Sequence, residues 1–423
     1  MVDTLLERKK VHLWEIALLF LKIGVTSFGG PAAHISMMEN EVVLRRKWIT
    51  KQYFLDLVGA TNLIPGPNAT EMAIHIGYIL RGWLGLAIAG ICFIMPSSLI
   101  ALGFAWVYVK FGQLPQIEPV LFGIRPVVLA IILGAIWRLG RKATKSLQLI
   151  FIGLMIIPFA FLFNQTIYIL IISGIIGMVL IVLEERMKPE EFKKNIIEEP
   201  KITEQYQKIN FKKLIISASI AAVVWGGLAL ISWLLKYFYP EILIFQIIFY
   251  FYGIGSILYG SGYVYYAYVR DGLVQKYKWL TNQQLIDTIA IGQFVPGPVL
   301  SSTTVIGYII NGYSGAFLAT IAIFLPAFLV VTILNPLLTK VRNSKWAGAF
   351  LDAINVGSIA IMFVITFQFG QNMIFGLDIW NILVTITLFL VALVISIIWK
   401  KINPAFLVIG GALIGGLLKW FIL

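Results

Sequence analysis

The chain has 423 residues, of which 59% are apolar and only 13% charged, against about 25% charged in soluble domains. With a mean hydropathy of +0.90 this excludes a soluble globular protein and indicates a polytopic membrane protein. The net charge of +13 would suggest nucleic acid in a soluble protein, but most Lys and Arg lie between apolar stretches, where they act as topology signals and headgroup contacts.

Segments long enough to cross a hydrocarbon core of about 30 Å, or nearly so, fall in order at 13–38, 54–80, 83–109, 119–137, 148–163 and 166–183. Before the first, Glu7-Arg8-Lys9-Lys10 leads into an apolar run near Trp14 with no small-residue cleavage site, so an uncleaved first segment is expected. The stretch 184–213 mixes eight basic with seven acidic residues and carries Pro189 and Pro200, which reads as a solvated linker. Seven more segments follow at 214–235, 242–268, 285–310, 313–336, 349–368, 378–399 and 404–422. A single cysteine, Cys92, excludes an internal disulfide, and His12, His34 and His75 form no metal-ligand pattern. No catalytic cluster, metal or cofactor is expected.

Two of these segments are broken in the same way, at Pro65-Gly66-Pro67 and Pro296-Gly297-Pro298. Proline lacks a backbone donor and clashes with the preceding turn, so each motif ends one helix and starts another. In lipid such a break survives where it is buried in protein or lines a polar cavity, which points to a transport site. A shift of 231 residues superimposes the two motifs and also aligns Trp48, Thr50, Gln52 and Asp56 with Trp279, Thr281, Gln283 and Asp287. Downstream, after one deletion, Gly77, Gly82, Gly85 and Pro96 meet Gly307, Gly312, Gly315 and Pro326. Chance does not hold that register over about 120 residues, so the chain is two homologous halves.

The expected fold is therefore an all-α polytopic integral membrane protein, with a first half at 1–183, the linker at 184–213, an extra connecting helix at 214–236 and a second half at 237–423. That odd connecting helix inverts the second half. Placing the N-terminus, the linker, the Arg138, Arg141, Lys142, Lys145 cluster, Lys340 to Lys345 and Lys400-Lys401 in the cytoplasm satisfies the positive-inside rule, with the C-terminus outside. Arg45, Arg46, Lys47 and Lys51 obey the rule only if 13–38 and 54–80 are re-entrant hairpins turning at Gly29-Gly30-Pro31 and Pro65-Gly66-Pro67. The alternative is a pair of plain kinked spans.

The run Ser27-Phe28-Gly29-Gly30-Pro31-Ala32-Ala33-His34, followed by Glu39, Glu41-Val42, Arg45, Arg46, Trp48, Asp56, Pro65-Gly66-Pro67 and Phe93-x-x-Pro96-Ser97, resembles the signature of the chromate transporter family. The tandem halves resemble its long-chain members. The resemblance implies a secondary transporter moving chromate across the inner membrane, outward for resistance. One departure stands at the first break, where many members are similar to PGPASSQ and this chain reads Pro65-Gly66-Pro67-Asn68-Ala69-Thr70-Glu71. A carboxylate replaces an amide there, which bears on the substrate more than on the fold.

Chromate, like sulfate, is a tetrahedral dianion, and a small inorganic oxyanion at mid-depth needs two charges offset. Each half-helix N-terminus offers about +0.5 charge and free N–H donors. Lys22 and Arg125 are the cations nearest membrane depth, with an ion pair to Glu15 or Glu118 as the structural alternative. After the breaks, Asn68, Thr70, Ser301 and Ser302 carry donors that suit an oxyanion or, equally, cap the next half-helix. Gly66 and Gly297 serve a tight turn and a close approach to an anion alike.

Glu71 is the coupling candidate: protonated it can donate to an anion, ionised it repels one. Asp56 and Asp287 are repeat partners suited to proton coupling or to an ion pair with an arginine, and His34 is a possible titrating group or a structural histidine. Glu39, Arg45 and Arg46 suit a gate or a solvated loop. No G-x-x-x-x-G-K-[ST] motif is present, so an ion or substrate gradient is the expected energy source. The alternatives to oxyanion transport are a channel or exchanger for another small anion, and an intramembrane enzyme acting on a lipid phosphate. The partners expected are the oxyanion and the lipid bilayer, with a homodimer possible.

Overall fold

The computed structural model describes residues 11–28, 30–61, 66–112, 114, 116–163, 165–187, 211–259, 262–334, 345–399 and 402–422. Fifteen α-helices occur among them and no strand. The first half holds α1 (Leu13–Thr26), α2 (Pro31–Glu39, running into a π-helical turn Asn40–Arg45), α3 (Lys51–Thr61), α4 (Asn68–Phe111), α5 (Glu118–Ala143), α6 (Leu147–Leu162) and α7 (Thr166–Met187). Next comes α8 (Phe211–Phe238). The second half holds α9 (Leu243–Ile257), α10 (Tyr265–Val269, running into the π turn Arg270–Lys276), α11 (Asn282–Phe294), α12 (Ser302–Leu334), α13 (Lys345–Ile374), α14 (Ile379–Ile398) and α15 (Pro404–Ile422). Most of the charged linker expected at 184–213, residues 188–210, lies outside the described residues.

Among the described residues six helices, namely α4, α5, α8, α12, α13 and α14, are long and apolar enough to cross a membrane. The helices that end at the breaks, α1, α3, α9 and α11, are not among them, whereas α4 and α12, which begin there, are. Along one continuous helix Lys22 and Glu41 would stand about 28 Å apart, yet Lys22 Nζ meets Glu41 Oε1 at 2.8 Å. The chain between them therefore reverses, at Ser27 to Gly30, where Gly30 (φ 80°) leads into Pro31 at the first position of α2. This is a helical hairpin rather than a kinked span.

A second reversal interrupts α4. Arg81 and Gly82 leave helical geometry (φ −144° and +60°), and Gly77 packs so closely on the Gly85 carbonyl that any side chain there would overlap it. Eight residues of unbroken helix would hold these two about 12 Å apart. The same turn recurs at Asn311-Gly312, where Gly307 packs on Gly315. The repeat extends to fine detail: Lys47 and its counterpart Lys278 both adopt positive φ (53° and 55°) after their π turns. Trp48 and Trp279 then donate their amides to Val42 and Leu273, each at 2.8 Å.

Two bundles result. In the first, α1 packs on α4, α9 packs on α12, and α4 crosses α12, so the broken helices of both halves form one group. In the second, α5 packs on α13, α14 and α15, and α13 packs on α6 and α7. Arg138 donates to the Ser396 carbonyl (3.1 Å) and Lys145 pairs with Asp352 (3.1 Å), so the basic end of α5, the start of α13 and the end of α14 share one face.

Candidate functional site at the crossed breaks

Each Pro-Gly-Pro turn meets the break of the first helix in the opposite half. Gly66 N–H donates to the Leu258 carbonyl at 2.6 Å, and Gly297 N–H donates to the Ser27 carbonyl at 2.8 Å. Ser27 and Leu258 are themselves counterparts under the 231-residue shift. The contact is thus isologous: i meets j′ and j meets i′, the mark of a two-fold relation rather than a translation. Both carbonyls are free to accept because the helices before them stop there, which leaves the last turn's acceptors unpaired.

Around these bonds the packing is close. Gly24 lies under the Phe93 carbonyl and Gly255 under that of Ile323, again as a repeat pair. At Gly297 (φ 92°) an added Cβ would stand 2.8 Å from Ser97 Cβ and 3.2 Å from the Gly24 carbonyl. At Gly66 (φ 145°) it would overlap Glu71 Oε1, since the Glu71 side chain lies against the turn. Glycine is required at both by backbone conformation and by space. Pro67 caps α4, and Pro298 caps the short 3-10 turn that opens α12. Gly29 and Pro65 lie outside the described residues.

Chemically the two crossings differ. On the second-half turn every hydroxyl is engaged: Ser301 Oγ donates to Ser97 Oγ (2.7 Å), Ser302 Oγ to the Val299 carbonyl (2.9 Å) and Thr303 Oγ1 to Tyr265 OH (2.7 Å). On the first-half turn Thr70 Oγ1 and both oxygens of Glu71 are buried and have no hydrogen-bond partner. The repeat accounts for the first of these. Thr70 corresponds to Ser301, but the counterpart of Ser97 is Ala327, which offers no oxygen. Asn68 opens α4 half-buried.

Other residues singled out in the sequence take definite places. His34 is 1% exposed, sets one ring nitrogen 3.3 Å from the Ser27 carbonyl and packs edge-on to Phe93. It therefore touches the same carbonyl that accepts from Gly297. Lys22 and Arg125 were expected as cations for an anion, and in this conformation neither is free. Lys22 is bound to Glu41, whereas Arg125 is bidentate on Asp287 (2.9 and 3.1 Å) and bonded to Glu118 (3.1 Å). A buried guanidinium without a carboxylate would carry a large desolvation cost. Arg45 and Arg46 also converge on Glu41 rather than on Glu39, which stays half-buried outside that cluster. The Lys22 hydrogen bond, aided by Arg46 and Arg45, holds the Glu41 carboxyl below its ordinary range. Asp56 accepts from Gln52 (3.4 Å), unlike its deeply buried counterpart Asp287.

Ser97, Leu258 and Tyr108 were not singled out as site residues, because each acquires its place only from contact with the other half; Tyr265, also not singled out, meets Thr303 within its own half. Ser97 had one signal, the Phe93-x-x-Pro96-Ser97 run. Among the described residues no group of acidic, His or Cys side chains could hold a metal ion.

Residues 14–178 and 245–416, one block per half, match the chromate transporter family. The chain belongs to the chromate transporter family. A probable chromate transport protein of Synechococcus elongatus is 28% identical over 413 residues, covering 96% of both chains. The chromate transport protein of Cupriavidus metallidurans is 27% identical, over 95% of this chain and 92% of its own. A transporter of Bacillus subtilis described as uncharacterised is 31% identical over 128 residues, 30% of this chain and 72% of its own length. No solved structure matches. As a member of this family the chain is a multi-pass membrane protein with a transport role.

Proposed function

We propose that this chain is a secondary active transporter that moves chromate, or a tetrahedral oxyanion of the same charge such as sulfate, out of the cell. The observation that carries the reading is the reciprocal pair Gly66–Leu258 and Gly297–Ser27. It gathers four interrupted helices of both halves at one place, and a substrate bound where two pseudo-equivalent halves meet can be exposed to either side by moving one bundle against the other. The half-helices entered at Gly30, Pro67, Gly262 and Pro298 direct N–H groups and partial positive charge toward such a site. The relatives named as chromate transport proteins support the choice of anion.

Glu71 couples transport to protons. Ionised and unpaired in a buried site, a carboxylate costs several kcal/mol, so the neutral acid is favoured until a proton path opens. Neutral, it donates to a bound oxyanion; ionised, it expels one. Gly66, Asn68, Thr70, Gly297, Ser301 and Ser302 contact the anion, His34 supports the Ser27 carbonyl, and the Glu41 cluster with Arg45 and Arg46 guards an entrance. The protein lies in the cell membrane with its N-terminus and the 184–213 linker in the cytoplasm and its C-terminus outside.

Purified protein in liposomes, given labelled chromate or sulfate with and without a pH gradient, tests this. Flux of chromate stimulated by the gradient is expected. Absence of flux of either oxyanion under every gradient would remove the oxyanion reading.

A further inference from the structure

The two hairpins that carry the repeat's aspartates do not sit alike. In the second half, α10 and α11 pack against α5, α7, α13 and α15 of the scaffold bundle. Residues 285–290 of α11 are all buried. In the first half, α3 packs against α2 and α4. Its other side is open: Leu55 is 48% exposed, where its counterpart Ile286 is 2% exposed. Ser36 on α2 is likewise exposed, and its counterpart Ala267 on α10 is buried.

What ties α11 to the scaffold is ionic. Asp287, itself 2% exposed, accepts from Arg125 Nε and Nη2 on α5 and from the Tyr108 hydroxyl at the end of α4 (2.9 Å). Glu118 takes Arg125 Nη1, completing the guanidinium's partners. The pairing joins first-half to second-half residues and is bidentate, the strongest geometry available to this pair of side chains. The repeat does not reproduce it. The counterpart of Asp287 is Asp56, but the counterpart of Arg125 is Asn355, an amide on α13.

We infer that Arg125, Asp287 and Tyr108 are positioning residues forming a latch on one hairpin only. It holds α11 docked on α5 while α3 packs only on α2 and α4. The inference rests on the transport reading above. In an inverted repeat the two hairpins exchange roles when access alternates, so α3 docks on α13 as α11 leaves α5. Both states are then related by pseudo-symmetry, and an ion pair present on one side alone biases their populations toward the state in which it is made. Transport must break and remake the Arg125–Asp287 bonds in each cycle, whereas docking of α3 has no guanidinium to release.

Full-length protein in sealed membrane vesicles of both orientations tests the latch, with Cys92→Ser removing the native thiol and a single reporter cysteine at Leu55 or Ile286. A membrane-impermeant maleimide should label Leu55→Cys quickly and Ile286→Cys slowly. Asp287→Asn should raise labelling of Ile286→Cys about tenfold and lower that of Leu55→Cys reciprocally. Tyr108→Phe, a milder change that keeps the ion pair, should give a smaller shift in the same direction. The exchange Arg125→Asp with Asp287→Arg should restore the original pattern. Asn355→Arg should place a guanidinium opposite Asp56, as Arg125 stands opposite Asp287, and protect Leu55→Cys at the expense of Ile286→Cys. Labelling unchanged by Asp287→Asn overturns the latch, as does a rise at Ile286→Cys with no fall at Leu55→Cys, which marks a merely structural pair. Chromate flux is measured separately on the unsubstituted protein, so a failure of the transport reading is seen independently of hairpin exchange.

Discussion

The amide of Gly66 donates to the carbonyl of Leu258 across the interface between the two halves, and the counterpart of each residue repeats the bond, Gly297 to Ser27, within 0.2 Å of the same length (2.6 and 2.8 Å). A glycine at positive φ is needed at both donors, and a helix end at both acceptors.

Valine at either donor should therefore disable transport while the protein still inserts. The change forces a β-branched residue into a left-handed conformation, which alone costs about 1–3 kcal/mol, and drives a methyl into Ser97 or Glu71. Gly82→Ala makes a useful contrast, because it has positive φ but open space around its Cβ position. It should cost about 1–3 kcal/mol in backbone strain and retain most of its flux, as read by chromate uptake per inserted molecule.

The unequal hydroxyls at the two crossings make opposite forecasts for similar substitutions. Ser301→Ala removes a buried bond to Ser97 and should cost about 1 kcal/mol, read as a lower Tm in detergent. Thr70→Val removes a buried hydroxyl that has no partner, so Tm should hold or rise. If both variants lose stability equally, the difference between the crossings is not real.

Glu71→Gln keeps the shape of the side chain and abolishes its charge. Stability should not fall, since the carboxylate has no partner to lose. Stimulation of chromate flux by a pH gradient should disappear, leaving only downhill exchange, measured in the liposome assay.

Glu41 sets an acid limit on the first hairpin. Its folded carboxyl is depressed by the Lys22 hydrogen bond first, then by Arg46 and Arg45, relative to an unfolded value near 4.3. A depressed carboxyl adds stability above the unfolded pKa and loses it as pH falls through the lower, folded one. Lys22 and Arg45 are more than half exposed, so screening holds the contribution to about 1 kcal/mol. Glu41→Gln should lower Tm at pH 7 and flatten its fall at acid pH; an unchanged acid profile would assign that fall to other groups.

Membrane insertion, the two halves and the places where helices break were legible in the chain itself. Apolar length, proline and glycine act locally, and a repeat needs only comparison of the chain with itself. The Gly29-Gly30-Pro31 and Pro-Gly-Pro breaks are readable for that reason. The charged residues were less legible. Lys22 and Arg125 have the depth expected of anion ligands, but their partners Glu41 and Asp287 stand 19 and 162 residues away, and only chain reversal and the crossing of halves bring them together.

What the sequence determined by itself is the set of elements and their duplication, because backbone hydrogen bonding in lipid is satisfied within each segment. What only the tertiary structure decided is the asymmetry. Two near-identical hairpins occupy different environments, with Ile286 and Asp287 buried, Leu55 exposed and Asp56 half-buried. Side-chain partners across an interface depend on how bundles are placed, and one arginine at 125 in place of the asparagine at 355 is enough to make the two ends of a symmetric fold unequal.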